Sequence, residues 1–142
     1  MIKKVDYIYE SNYSDNFKIG NPYKIIKVQE MHQYIINKNY DMVGTYLTNN
    51  VIFSLEDGSG LEGKETCIKF ILESYSSIEI EDYQVAINLA VTEGNGDELV
   101  LFWDNGKIVT SDGKESNYSW VETFRFEGDK IDYMNQFSKP RN

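Results

Sequence analysis

The chain has 142 residues and a formal net charge of −9, and no run of Lys or Arg exceeds two. An acidic surface of this kind repels phosphate backbones and anionic headgroups, which argues against nucleic acid and membrane as partners. Hydrophobic residues make up 41% and aromatics 14%, too much for a disordered chain and enough for one domain with its own core.

One cysteine, Cys67, and one histidine, His32, exclude an intrachain disulfide and a Cys/His zinc site. No stretch resembles a transmembrane span, and Met1-Ile-Lys-Lys-Val-Asp6 lacks the apolar core of a secretory signal. As written the protein reads as cytoplasmic. A chain starting just after a removed signal peptide would look the same, and would then be exported.

Residues 1–20 carry tyrosines, acids and asparagines with little periodicity and read as an arm laid over the domain or partly loose; 21–142 read as a single domain. Asn21-Pro22 predicts a helix start, with Asn21 as cap and Pro22 at the first helical position. Ile25, Val28, His32 and Ile35 then keep helical spacing to about Asn37, flanked by Met31 and Tyr34. Asn39 caps a second short helix, Tyr40 to Tyr46. Thr48-Asn-Asn50 turns into a first strand, Val51 to Glu56, and Asp57-Gly-Ser-Gly60 is a loop without a phosphate-binding pattern. A third helix, Lys64 to Tyr75, buries Cys67, Ile68, Ile71 and Leu72.

Strands follow. Tyr83 to Thr92 alternates, with Tyr83, Val85, Ile87, Leu89 and Val91 on one face. Glu98 to Trp103 is apolar on both sides and therefore central. Asp104-Asn-Gly106 and Ser111-Asp-Gly113 read as turns that bracket a short extension, Lys107 to Thr110. Tyr118 to Phe126 and Ile131 to Phe137 form a closing hairpin about Gly128-Asp129. Its first strand presents Tyr118, Trp120, Glu122, Phe124 and Phe126 on one face, a row of aromatics interrupted by one carboxylate. A two-residue turn sets Phe126 opposite Ile131, Phe124 opposite Tyr133, Glu122 opposite Asn135 and Trp120 opposite Phe137. Grouped helices and grouped strands predict an α+β fold with a curved antiparallel sheet around the long first helix and a pocket at its open end.

The ordered set of the long helix, Asn39-Tyr-Asp41 to Tyr46-Leu-Thr-Asn-Asn-Val51, Gly63-Lys-Glu65, and Trp120-Val-Glu-Thr-Phe-Arg-Phe126 followed by Gly128 to Ile131 resembles the nuclear transport factor 2-like superfamily, in particular its SnoaL-like branch. The resemblance spans roughly residues 21–138 and implies a cystatin-like cone, or α+β barrel. It also implies homodimerisation through the sheet, for which Gln84, Asn88, Thr92, Thr123 and Arg125 could supply the outer face. Members include isomerases, polyketide cyclases, dehydratases and transport adaptors, so the fold does not fix a function. The ketosteroid isomerase arrangement needs a base on the first strand, a tyrosine on the first helix and an acid on a late strand. Here the first position falls at Ser54 or Leu55, the second near Met31, and only the third has a counterpart, Glu122.

Desolvation by the aromatic row favours the neutral acid at Glu122, which could then donate a hydrogen bond to a ligand or shuttle a proton. The alternative is that Asn135 or a tyrosine hydroxyl satisfies it. His32 is either an acid or base on the inner helix face or a satisfied core histidine. Asn135, Tyr34, Trp120, Trp103 and Phe53 are candidates to line the pocket, with aromatic core as the alternative for the four rings. No metal ligands show a recognisable spacing and no cofactor is implied. Three functions follow: a pocket binding a small, partly apolar molecule, an enzyme moving protons with Glu122 or His32, and a dimeric interaction module with a filled interior.

Overall fold

The computed structural model of the protein describes residues 6–13 and 16–141. Of the expected arm, residues 1–5, 14 and 15 lie outside the described residues. Three helices and seven strands follow in the order β1 (Phe17–Ile19), α1 (Tyr23–Ile36), α2 (Tyr40–Val43, extended by a 3₁₀ turn Gly44–Tyr46), β2 (Leu47–Ser54), β3 (Gly60–Glu62), α3 (Lys64–Tyr75), β4 (Ile78–Glu93), β5 (Glu98–Thr110), β6 (Glu115–Glu127) and β7 (Lys130–Arg141). No described helix is long and apolar enough to cross a membrane.

Helix α1 begins where its capping signals predict. The Asn21 side-chain oxygen accepts the Tyr23 amide at 3.0 Å, and Pro22 is already helical at φ −65°. Lys24, Val28, Met31 and His32 are buried along one face, with Ile25 and Ile35 half-buried beside it. Val28 and Met31 pack over Val100, Phe102, Phe124, Phe126 and Ile131 of the sheet. Lys24 is tied down by donating to the Gly128 carbonyl, pairing with Glu98 at 3.4 Å and covering the Phe126 ring at 5.1 Å. In α3, Cys67 and Ile71 join the core, whereas Leu72, expected inside, is 42% exposed.

The sheet order is β1-β4-β5-β6-β7-β2-β3. It is an open, mixed sheet, because β2 runs parallel to β7 while every other neighbour is antiparallel. One strand pair thus departs from the all-antiparallel expectation, while the α+β architecture is as expected. Tight turns fix direction for β4 to β7, but β2 and β7 meet from opposite ends of the chain, and no local turn dictates their sense. Residues 17–19 of the expected arm form edge strand β1, pairing Phe17 with Glu93 and Ile19 with Val91.

Three strand expectations are corrected. The β4–β5 register shifts between Glu81 and Gln84 and again between Val85 and Ile87, with Asp82 at φ 51°. Each extra residue reverses the faces, so Ile87 and Leu89 point outward, 46% and 37% exposed, while Ala90 is buried. Second, β5 runs unbroken through Asp104-Asn-Gly106. Gly106 is there for packing: a Cβ would meet the Trp120 ring at 3.2 Å and Ile80 at 3.1 Å. Third, Phe126 does face Ile131, but a shift just beyond puts Phe124 opposite Met134, Glu122 opposite Gln136 and Trp120 opposite Ser138. Asp132 sits at this bulge and takes a bidentate pair from Arg125, at 2.9 and 3.1 Å.

Candidate functional site

The inner face of the sheet and the underside of α1 enclose a cavity of about 50 Å³. Met31, Ile35, Phe53, Ile71, Trp120 and Met134 give it apolar walls, and a polar end is formed by His32, Asp104, Glu122, Tyr83, Tyr75 and Gln136. At roughly 10–15 Å³ per water-sized site, the volume suits a few heavy atoms or the end of a longer molecule.

Three elements deliver the histidine and the two carboxyl groups of this end. His32 lies one helical turn after Val28 on the buried stripe of α1, and its Nδ1 is 2.7 Å from the Val28 carbonyl oxygen. A carbonyl only accepts, so Nδ1 carries a proton and Nε2 faces the cavity. Glu122 comes from the inner face of β6, with Oε1 and Oε2 at 3.0 and 3.2 Å from that Nε2. Asp104 comes from the inner face of β5, its Oδ2 at 3.6 Å from the same nitrogen. The Tyr83 hydroxyl donates to Asp104 Oδ2, while buried Oδ1 has no hydrogen-bond partner among the described residues. Phe102 and Phe124 hold the imidazole at ring separations of 5.0 and 5.7 Å.

The electrostatics follow from this enclosure. Burial opposes charge on His32, yet the Glu122 carboxylate, with a smaller contribution from Asp104, carries the imidazole up to about 9. Burial and the charge of Glu122 push Asp104 up to about 7, against the opposing pull of His32 and the Tyr83 hydroxyl. Burial and Asp104 hold the Tyr83 phenol far above the ordinary tyrosine range. Burial lifts Tyr75 to about 12. Near neutral pH the site therefore holds an imidazolium against Glu122 and a carboxyl group poised between its two protonation states.

Of the residues singled out in the sequence, His32, Glu122, Trp120, Phe53 and Asn135 border the cavity. His32 and Glu122 are in direct contact, so the carboxyl expected to stand alone among aromatics has an imidazole against it. Asn135 is paired with Thr123, not Glu122. Tyr34 lies off the cavity, packed on the core with its ring 6.1 Å from that of Tyr46. Trp103 points outward and is 46% exposed, which corrects its placement as a pocket ring. Asp104, Tyr83, Tyr75 and Gln136 were not anticipated as site residues. Asp104 shares strand parity with Val100 and Phe102, a signal visible only if β5 is read through the Asp-Asn-Gly triplet. The nitrogen and carboxylate oxygens of His32, Asp104 and Glu122 lie within 4.8 Å of one another, a convergence of ligand types that no spacing in the sequence displays.

No protein-family model matches the sequence, and neither does any curated protein. Solved structures do match. An LEH-like epoxide hydrolase from M. tuberculosis superposes with a TM-score of 0.66 at 12% identity, covering 82% of each chain. A protein from Shewanella denitrificans, assigned by name only to the SnoaL-like polyketide cyclases, gives 0.64 at 10% identity, covering 84% of this chain and 92% of the other. An NTF2-like protein of unknown function from Cytophaga hutchinsonii gives 0.55 at 14% identity, covering 80% and 97%. The chain has the nuclear transport factor 2-like fold. Neighbours with the same fold include proteins named as polyketide cyclases, one of them SnoaL-like, and as an isomerase.

Proposed function

We propose that the cavity takes a small, partly apolar molecule, or the end of one, and that His32, Asp104 and Glu122 move a proton on it. The observation that carries this reading is Asp104: a 2%-exposed carboxyl group on the cavity wall, with one oxygen unpartnered among the described residues and an imidazole 3.6 Å from the other. A buried charged cluster is destabilising unless every member is satisfied, and clusters retained in clefts are concentrated at functional sites. A carboxylate oxygen facing the cavity can take a proton from carbon or water while the imidazolium or carboxyl beside it returns one to a developing oxyanion. Such a pair contributes roughly 10²–10⁴-fold to rate. The arrangement differs from that of ketosteroid isomerase, since Ser54 at the end of β2 and Leu55 just after it stand where the base would be.

The test is a turnover screen on small epoxides, β-keto esters and unsaturated ketones, guided by the names the neighbours carry. At least one class should be converted by the wild type, and Asp104→Asn should slow it by about 10²–10⁴-fold. No turnover of any class, together with no change in the NMR signals of cavity residues on adding the compounds, would sink the reading.

A second reading concerns the outer sheet face: the chain pairs with a copy of itself there. It is supported by a cross-strand row of exposed apolar residues, Ile87, Trp103, Val121 and Phe137, aligned over four adjacent strands. Gln84, Thr123 and Arg125 share this face; Asn88 and Thr92, offered for it from the sequence, pair with Phe102 and Glu98 on the opposite parity. Sedimentation at micromolar concentration giving only monomer would remove this reading.

A further inference from the structure

We propose that His32, Asp104 and Glu122 also form a binding site for one divalent transition-metal ion, zinc or manganese being the fitting occupants; the inference rests on the reading that this cluster is the working end of the cavity. The first support is convergence. Metal–ligand bonds of about 2.0–2.2 Å in a tetrahedral arrangement separate ligand atoms by about 3.3–3.5 Å. One ligand atom from each of His32, Asp104 and Glu122 lies within 4.8 Å of the other two, and His32 Nε2 is 3.0 Å from Glu122 Oε1, so the three side chains are within reach of that spacing.

The second support is the surrounding hydrogen bonds. A metal-binding histidine usually donates its other ring N–H to a carbonyl or carboxylate, which fixes the tautomer. Here the Val28 carbonyl holds Nδ1–H at 2.7 Å and points Nε2 at Glu122 and Asp104, where an incoming ion would replace the proton on Nε2. Tyr83 plays the corresponding part for Asp104 by occupying Oδ2. That leaves Oδ1, buried and without a hydrogen-bond partner among the described residues, as the oxygen for an ion. An unsatisfied buried carboxylate oxygen calls for an explanation, and a bound cation supplies one.

The third support is charge and access. Once its protons are displaced, the two carboxylates and the imidazole sum to −2 beside the Phe102 and Phe124 rings, which one divalent ion neutralises. Imidazole with carboxylates suits zinc and manganese better than calcium, which prefers six to eight oxygens. Three protein ligands leave a further position directed at the cavity. An ion there would polarise a ligand carbonyl or activate a bound water.

The test uses the full chain, stripped with EDTA, dialysed, and titrated calorimetrically with ZnCl₂ and, separately, MnCl₂, with the free Mn²⁺ signal followed by electron paramagnetic resonance. One equivalent should bind. Asp104→Asn and Glu122→Gln, both close to isosteric, should each weaken binding more than tenfold, and Tyr83→Phe should weaken it about 10–100-fold through Asp104. Absence of saturable binding would overturn the site. So would equal affinity in wild type and whichever of the two ligand variants folds by circular dichroism, because the ion would then be sitting on surface carboxylates. The two readings fail separately. Stripped protein that converts a screened compound but takes up no ion retains the proton-transfer reading and loses the metal site. Protein that takes up one ion at these residues but converts nothing, loaded or stripped, does the reverse.

Discussion

His32 and Asp104 make stability depend on pH in a definite direction. The imidazole is raised from its ordinary 6.5 to about 9 and the carboxyl from 3.8 to about 7, so in metal-free protein both groups make the native state hold more protons than the unfolded chain. The His32 contribution is complete below about pH 6.5 and is lost as pH rises through about 9; Asp104 ionisation erodes stability earlier, between about 3.8 and 7. The denaturant midpoint of chelator-treated protein should therefore fall from pH 6.5 to 9, and His32→Gln should flatten that slope. A midpoint that rises across the window in the wild type contradicts the placement of His32 between two carboxyl groups. The pairing of His32 with Glu122 was not legible in the sequence. The two residues are 90 apart in the chain, and composition marks each as unusual without saying that they meet.

At the scale of elements, what could be read was what local chemistry specifies. The Asn21-Pro22 start of α1 and the limits of α3 follow from caps and periodicity. Strands were harder because their faces depend on bulges, and a single inserted residue exchanges inside for outside. The β4 bulges moved Ile87 and Leu89 outward, and the β7 bulge moved Asn135 away from Glu122. Asp104 was lost for a related reason: Asp-Asn-Gly is strong turn chemistry, and nothing local reveals that its glycine makes room for the Trp120 ring. Gly106→Ala tests that account. The added Cβ meets Ile80 and the Trp120 ring at 3.1 and 3.2 Å, inside ordinary contact distance. Overpacking of this kind costs about 1–3 kcal/mol, read as a lower chemical-denaturation midpoint. An unchanged midpoint would mean that Trp120 yields freely and that the cavity wall it forms is soft.

The whole molecule divides its work between the two faces of one sheet. The inner face supports α1 and holds the polar cluster; the outer face carries the apolar row through Trp103, in which Val121 and Phe137 are 40% and 59% exposed. In the dimer reading this row is the interface, so Trp103→Glu should yield monomer in sedimentation while leaving the cavity and the far-ultraviolet circular dichroism intact. A dimer that survives Trp103→Glu places the contact elsewhere. The fold gives both faces a context but assigns neither a role, because neighbours at 9–14% identity share the architecture alone.

The most direct measurement is the NMR titration of the imidazole. His32 is the only histidine in the chain, so its ring signals need no assignment by mutagenesis. In metal-free protein they should report an imidazolium through neutral pH and a midpoint near 9, and Glu122→Gln should bring that midpoint down. A midpoint at or below the ordinary 6.5, unmoved by Glu122→Gln, would show that the imidazole does not face the carboxylates, and the candidate site would be lost with it.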